Sequence, residues 1–155
     1  MRHGLAALFL LVIILVINCL IVRKELLLSE GKPMLLQLAP RDPRSLMQGD
    51  YMVLRYAIAR EAPIGRLDAS GCLVVTVDGQ QMARFARVHD GEPLAANEAL
   101  LMYRNRNGLR IGTETFMFQE GDAARYSSAR YGELRVAPNG ECILVGLRGE
   151  DLKPL

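Results

Sequence analysis

Hydrophobic residues fall into two regimes along this chain. From Gly4 to Val22 no position is charged and nearly all are apolar: GLAALFLLVIILVINCLIV. No polar residues recur at a helical interval there, so a helix built from the segment has no polar face to turn toward water. At a rise of 1.5 Å per residue the segment covers roughly 28 Å, close to the ~30 Å hydrocarbon core of a bilayer. The pattern predicts a transmembrane helix. Past Arg23 the rhythm changes to short alternating stretches separated by turn residues, which predicts antiparallel strands.

Glu25 to Gly31 reads as a juxtamembrane continuation of the helix, stopped by Gly31 and Pro33. Met34 to Leu38 reads as a first strand, followed by a turn-rich connection through Pro40, Asp42 and Pro43. Gly49-Asp50 then supplies a turn, and alternation places Met52, Leu54, Tyr56 and Ile58 on an inner face, with Tyr51, Val53, Arg55 and Ala57 outside. Three Asp-Gly or Asn-Gly pairs lie between apolar alternating runs. Asp78-Gly79 separates Cys72–Val77 from Gln81–Val88, and Asn107-Gly108 separates Leu100–Arg104 from Leu109–Phe118. Asn139-Gly140 separates Leu134–Ala137 from Cys142–Leu147. Such pairs suit two-residue primed turns and predict three hairpins. A short helix is expected within 121–131, with Asp122 as its N-cap. The fold class is therefore mainly β: an N-terminal transmembrane helix, then an antiparallel barrel or sandwich of about eight strands. The organisation is a leader at 1–3, an anchor at 4–22, a juxtamembrane linker at 23–32 and a β-rich domain at 33–155.

Charge changes the picture little. The formal net charge is +2, with both signs interspersed, which argues against a nucleic-acid stripe. The apolar run exceeds the usual signal-peptide core, and Arg23, Lys24 and Glu25 follow it where a small-residue cleavage site would stand. Asn18 before Cys19 also fits poorly with a lipoprotein site. An uncleaved single-pass signal-anchor is the reading. Arg23 and Lys24 after the run outnumber Arg2 before it, which by the positive-inside count favours a cytoplasmic domain. A three-residue leader with one arginine is instead the head of an exported signal-anchor, and on that ground the domain is placed on the periplasmic side of an inner membrane. Cys72 and Cys142 both begin predicted strands, and in an oxidising compartment they are either a disulfide or two buried thiols.

Candidate chemistry is sparse. His3 and His89 form no pair at metal-ligand spacing, so neither a metal nor a cofactor is expected. Gly-Leu-Arg-Gly-Glu at 146–150 lacks the lysine and hydroxyl residue of a phosphate loop. A serine–lysine hydrolase of the signal-peptidase kind needs a serine ahead of a Gly-Asp pair and a lysine to deprotonate it. Ser45 lies only four residues before Gly49, and the chain's lysines are Lys24, Lys32 and Lys153, all outside the predicted strands. Asp50, Glu114, Glu120, Asp122 and Glu133 show no spacing that singles out a catalytic pair. Asp50 is expected to accept turn hydrogen bonds, and Phe116 and Phe118 to pack in the core. Asn18, an amide within the anchor, either contacts a membrane partner or reaches the interface.

Gly49-Asp-Tyr-Met-Val-Leu-Arg-Tyr56 resembles the motif that names the GDYxxLxY family of membrane-anchored bacterial proteins. Asp42-Pro-Arg-Ser is similar to the segment preceding that motif, and Phe116-Met-Phe-Gln-Glu-Gly121 to the family's aromatic-x-x-x-Glu-Gly. Ala129–Val136 and Leu144–Leu147 are similar to its closing strands. Met117 and Gln119 depart from the Val and Pro common there. The resemblance implies a single-pass anchor carrying a β-rich domain, often encoded beside a large multi-pass membrane protein, and it brings no catalytic residues. The expected function is a non-enzymatic accessory protein bound to such a partner. The alternatives are an envelope domain that binds a small molecule or glycan in a barrel mouth, and the hydrolase.

Overall fold

The computed structural model describes residues 2–39, 51–63, 65, 67–106, 108–112 and 114–155, with side chains from Leu8 onward. Helix α1 (Arg2–Glu30) carries the uncharged run and continues through the juxtamembrane stretch without a break. It stops at Gly31, where a Cβ would lie 2.3 Å from the Leu27 carbonyl oxygen and 3.0 Å from the Arg135 side chain. Glycine lets the chain leave the helix pressed against the sheet. The last turns of α1 are docked on the domain: Leu27 is buried, and the Arg135 guanidinium donates to the Gly31 carbonyl at 3.3 Å. Among the described residues no helix is long and apolar enough to cross a membrane. Large apolar side chains of α1 from Leu8 to Val22 are all exposed.

Nine strands follow among the described residues, in two sheets. They are β1 (Lys32–Gln37), β2 (Tyr51–Val53), β3 (Ser70–Val77), β4 (Met82–Val88), β5 (Glu98–Asn105), β6 (Leu109–Ile111), β7 (Thr115–Met117), β8 (Tyr131–Val136) and β9 (Cys142–Arg148). Seven form one sheet in the order β6-β5-β3-β4-β1-β8-β9, while β2 and β7 pair separately. The expected wholly antiparallel set of eight is corrected in two places. Strand β1 inserts between β4 and β8 and runs parallel to β4 at Leu35–Met82 and Leu36–Ala83. The strand expected over Leu109–Phe118 breaks at Gly112 (φ 55°), so its second half leaves the large sheet and pairs with β2.

The large sheet curls until its two ends approach. The Met102 N–H on β5 donates to the Gly140 carbonyl in the β8–β9 turn at 2.8 Å. A Cβ on Gly112, just past β6, would come within 2.5 Å of Cys142 Sγ at the head of β9. Inside the curl lie Met34, Leu36, Leu73, Val75, Leu101 and Leu134, all at or below 1 % exposure. The interior is filled by side chains.

The three predicted hairpins form, but their turns are longer than the sequence suggested. Gln81 N–H donates to the Asp78 carbonyl at 3.0 Å, and Gly140 N–H donates to the Ala137 carbonyl at 2.9 Å. Each is a four-residue turn whose last residue is left-handed: Gln81 at φ 65° and Gly140 at φ 86°. Asn105 pairs with Leu109 around a third loop, where Gly108 takes φ 104° and Asn107 lies outside the described residues. Such three-residue loops leave a left-handed residue at their third position. Gly79 therefore does not need positive φ, because the Asp78 carboxylate accepts from the Gln80 and Met82 N–H groups and holds the turn. Two short helices complete the chain. Helix α2 (Ile58–Glu61) was not anticipated, and α3 (Ala123–Tyr126) falls where a short helix was expected. Asp122 precedes α3 but makes no side-chain cap.

Candidate functional site

The motif segment stitches the two sheets together. Gly49 and Asp50 lie outside the described residues, as do Asp42, Pro43 and Ser45. From Tyr51 onward, β2 pairs with β7 through Tyr51–Met117, Met52–Phe116 and Val53–Thr115. The Leu54 N–H continues that contact by donating to the Glu114 carbonyl at 2.6 Å. On the other side, Ala39 N–H donates to the Arg55 carbonyl at 2.7 Å and Ala57 N–H to the Gln37 carbonyl at 2.9 Å, tying the motif to the end of β1. Met52, Leu54 and Tyr56 are buried, as their alternation requires, while Ile58, expected on the same strand, is buried as the first residue of helix α2. Tyr56 packs on Gly132, where a Cβ would sit 3.1 Å from its ring. Burial raises the Tyr56 phenol above its ordinary value, so it stays neutral in the core. The outward positions are another matter: Tyr51, Val53 and Met117 are exposed, forming an apolar face on the small sheet.

A cleft of about 780 Å³ opens between the end of α1, strands β3, β5 and β6, and the β8–β9 turn. Cys72 and Cys142 both border it, as free thiols. The Cys72 thiol faces the Asn139 carbonyl at 3.9 Å, and burial raises its pKa. Burial, with a smaller contribution from the Glu141 carboxylate, pushes Cys142 up to about 11. Both thiols are therefore protonated and poorly nucleophilic near neutrality.

Charged groups surround the thiols. Lys24 Nζ lies 2.6 Å from Glu141 and Arg23 at 4.0 Å, and the Lys24 hydrogen bond holds the Glu141 carboxyl below its usual range. Arg110 Nε lies 3.5 Å from Glu114, whose pKa burial raises against the pull of that arginine. Register then aligns three donors across adjacent strands: Ser70 opposite Arg104, and Arg104 opposite Arg110. The sequence reading missed this row. Its members are far apart in the chain, and only the β3–β5–β6 pairing brings them side by side.

The remaining candidates disperse. Asn18 Nδ2 donates to the Ile14 carbonyl one turn back, at 2.9 Å, on the exposed surface of α1. His89 follows β4, where its backbone N–H donates to the Cys72 carbonyl at 3.0 Å. Lys153 pairs with Asp151 at 3.1 Å, and Glu133 accepts from Arg148 Nε at 2.9 Å. Glu120 is exposed. Phe116 and Phe118 pack half-buried around Tyr126, with ring centroids 5.0 and 5.3 Å from it. Among the described residues no group of three His, Cys, Asp or Glu side chains is placed to hold a metal ion.

No curated protein and no solved structure matches the chain. A family model described as GDYXXLXY protein matches residues 13–147, from within α1 to the end of the sheet. Its span takes in the motif strand, both sheets and the cleft, and on that match the chain belongs to the GDYXXLXY protein family.

Proposed function

We propose that this protein is a single-pass membrane accessory protein: α1 embeds in the bilayer, and the β-rich domain stands on the extracytoplasmic surface against a multi-pass membrane partner. The observation that carries the reading is the sleeve of exposed apolar side chains around α1. Leu8, Phe9, Leu11, Leu15, Leu20 and Val22 stand between 55 and 68 % exposed, and no charge interrupts them. The uncharged run extends to Gly4 in the sequence, which gives a helix the length of a bilayer core. Arg23 and Lys24, which by charge count alone favour the cytoplasmic side, have a structural task in the fold because both face Glu141.

Two surfaces suit a partner. Asn18 uses one amide hydrogen within its own helix and presents the rest of the amide outward, where a neighbouring helix in lipid gains from accepting or donating. The exposed Tyr51–Met117 pair offers an apolar face on the domain. The barrel-mouth alternative has less support, since the interior is packed with side chains. Crosslinking in native membranes, followed by mass spectrometry, tests the proposal. It predicts a stoichiometric multi-pass partner, weakened by Asn18→Leu or by Tyr51→Ala with Met117→Ala. Absence of any partner, under crosslinking that captures known membrane complexes, would overturn the accessory role.

A further inference from the structure

The cleft beside α1 combines an unusual charge arrangement with a particular place in the molecule. Arg104 and Arg110 are directly opposed on neighbouring antiparallel strands, where like charges repel. Glu114 pairs with Arg110 and also feels Arg55, and Glu141 is occupied by Lys24 and Arg23. Among the described residues Arg104 and Arg106 make no ion pair, and both line the adjoining hollow with Ser70 and Arg110. The chain as a whole is nearly balanced, at +2, so this local excess of guanidinium is a feature of the fold and not of the composition.

We propose that the Ser70–Arg104–Arg110 row binds a phosphate anion. Residues directly opposed on antiparallel strands lie roughly 5 Å apart, so one tetrahedral group can meet two guanidinium forks at once. A single guanidinium fork takes up both oxygens of a carboxylate edge, whereas a tetrahedral phosphate presents further oxygens in other directions, enough for both arginines and for the serine hydroxyl. Lys24 borders the same cleft two residues past Val22, where the uncharged run ends. With α1 in a bilayer, the row stands at headgroup depth, and the source of the phosphate is an anionic phospholipid. That source rests on the membrane reading; the anion site itself does not.

The test uses the full-length protein in neutral detergent, with binding read by titration calorimetry and native mass spectrometry. The probes are dioctanoyl phosphatidylglycerol, dioctanoyl phosphatidylcholine and inorganic phosphate. The expected result is that phosphatidylglycerol binds the wild type, and the Arg104→Gln/Arg110→Gln protein about tenfold or more weakly. An Arg84→Gln protein, which loses an exposed charge on β4 instead, binds like the wild type. Phosphatidylcholine, whose ammonium offsets its phosphate, binds more weakly, and raised salt weakens the phosphatidylglycerol complex. Removing the opposed charges leaves the unliganded thermal midpoint unchanged or higher, so lost binding is not lost folding. Inorganic phosphate binding as tightly as the lipid, and lost in the double variant, would overturn the lipid source. Equal binding of every probe to wild type and double variant, or none to either, would overturn the site. Carbonate extraction of membranes judges the anchor separately, so failure of one reading is distinguishable from failure of the other.

Discussion

Helix α1 and the curled sheet are built from the same aliphatic residues and treat them in opposite ways. In the sheet, Leu36, Leu73, Leu101 and Leu134 have no exposed surface. In α1, Leu8, Leu15 and Leu20 keep more than half of theirs. Burying such a side chain is worth roughly 1.5–3 kcal/mol, so the sheet satisfies its own hydrophobic residues and α1 leaves that free energy unrealised in water. The join is not a slack tether. Leu27, Gly31 and the Lys24–Glu141 pair fix the helix end to the sheet, so whatever medium accepts α1 also positions the domain and its cleft.

Breaking the core should separate the two regions most sharply. Leu101→Ala or Leu134→Ala removes a fully buried side chain and should cost about 2–5 kcal/mol in chemical denaturation of the detergent-held protein. Leu15→Ala, on exposed α1, should leave the same transition in place. A matching loss for Leu15→Ala would mean that α1 packs on protein after all.

Backbone geometry gives the next largest effect. Gly140→Ala forces a left-handed residue and sets a Cβ 3.0 Å from the Met102 nitrogen, at the contact that brings the sheet ends together. It should cost about 1–3 kcal/mol by thermal unfolding. Gly79→Ala meets open space and should be close to neutral.

The closed seam also sets a pH limit. Cys142 keeps its proton to about pH 11 in the fold, against an ordinary value of 9.0. The unfolded state then binds fewer protons than the native state between those values, so stability should fall as pH rises from 9 to 11. The contribution is on the order of 2 kcal/mol, present in full below pH 9 and absent from Cys142→Ala. Unfolding midpoints measured across that range should show a steeper decline for the wild type than for the variant. Lys24→Ala should have the smallest effect, below ~1 kcal/mol, because its side chain is more than half exposed. Denaturation midpoints that drop further would make the helix–sheet join a larger part of stability than its exposure implies.

Much of the sheet was legible because period-two alternation marks one face directly. Met52, Leu54 and Tyr56 are buried as the pattern required, and the three turn signals each join a hairpin. What escaped depended on contacts distant in sequence. Strand β1 enters between β4 and β8, and the chain leaves the large sheet at Gly112, whose left-handed φ and close approach to Cys142 Sγ leave no room for a side chain. At the first turn the Asp78 side chain substitutes for a glycine's freedom, leaving Gln81 in the left-handed position, whereas Gly108 and Gly140 take that position in the other two three-residue loops. At the candidate site, Cys72 and Cys142 stood out as strand-initial cysteines, and both border the cleft. The arginines there looked like scattered surface charge, since nothing local to Arg104 or Arg110 announces that register will oppose them.

Alkaline carbonate extraction of membranes carrying the full-length protein, with and without residues 4–22, tests the central claim most directly. The intact chain should remain in the membrane pellet, and the protein lacking the uncharged run should be released. Release of the intact chain into the carbonate supernatant would contradict the account, because the exposed sleeve of α1 would then have some cover other than lipid.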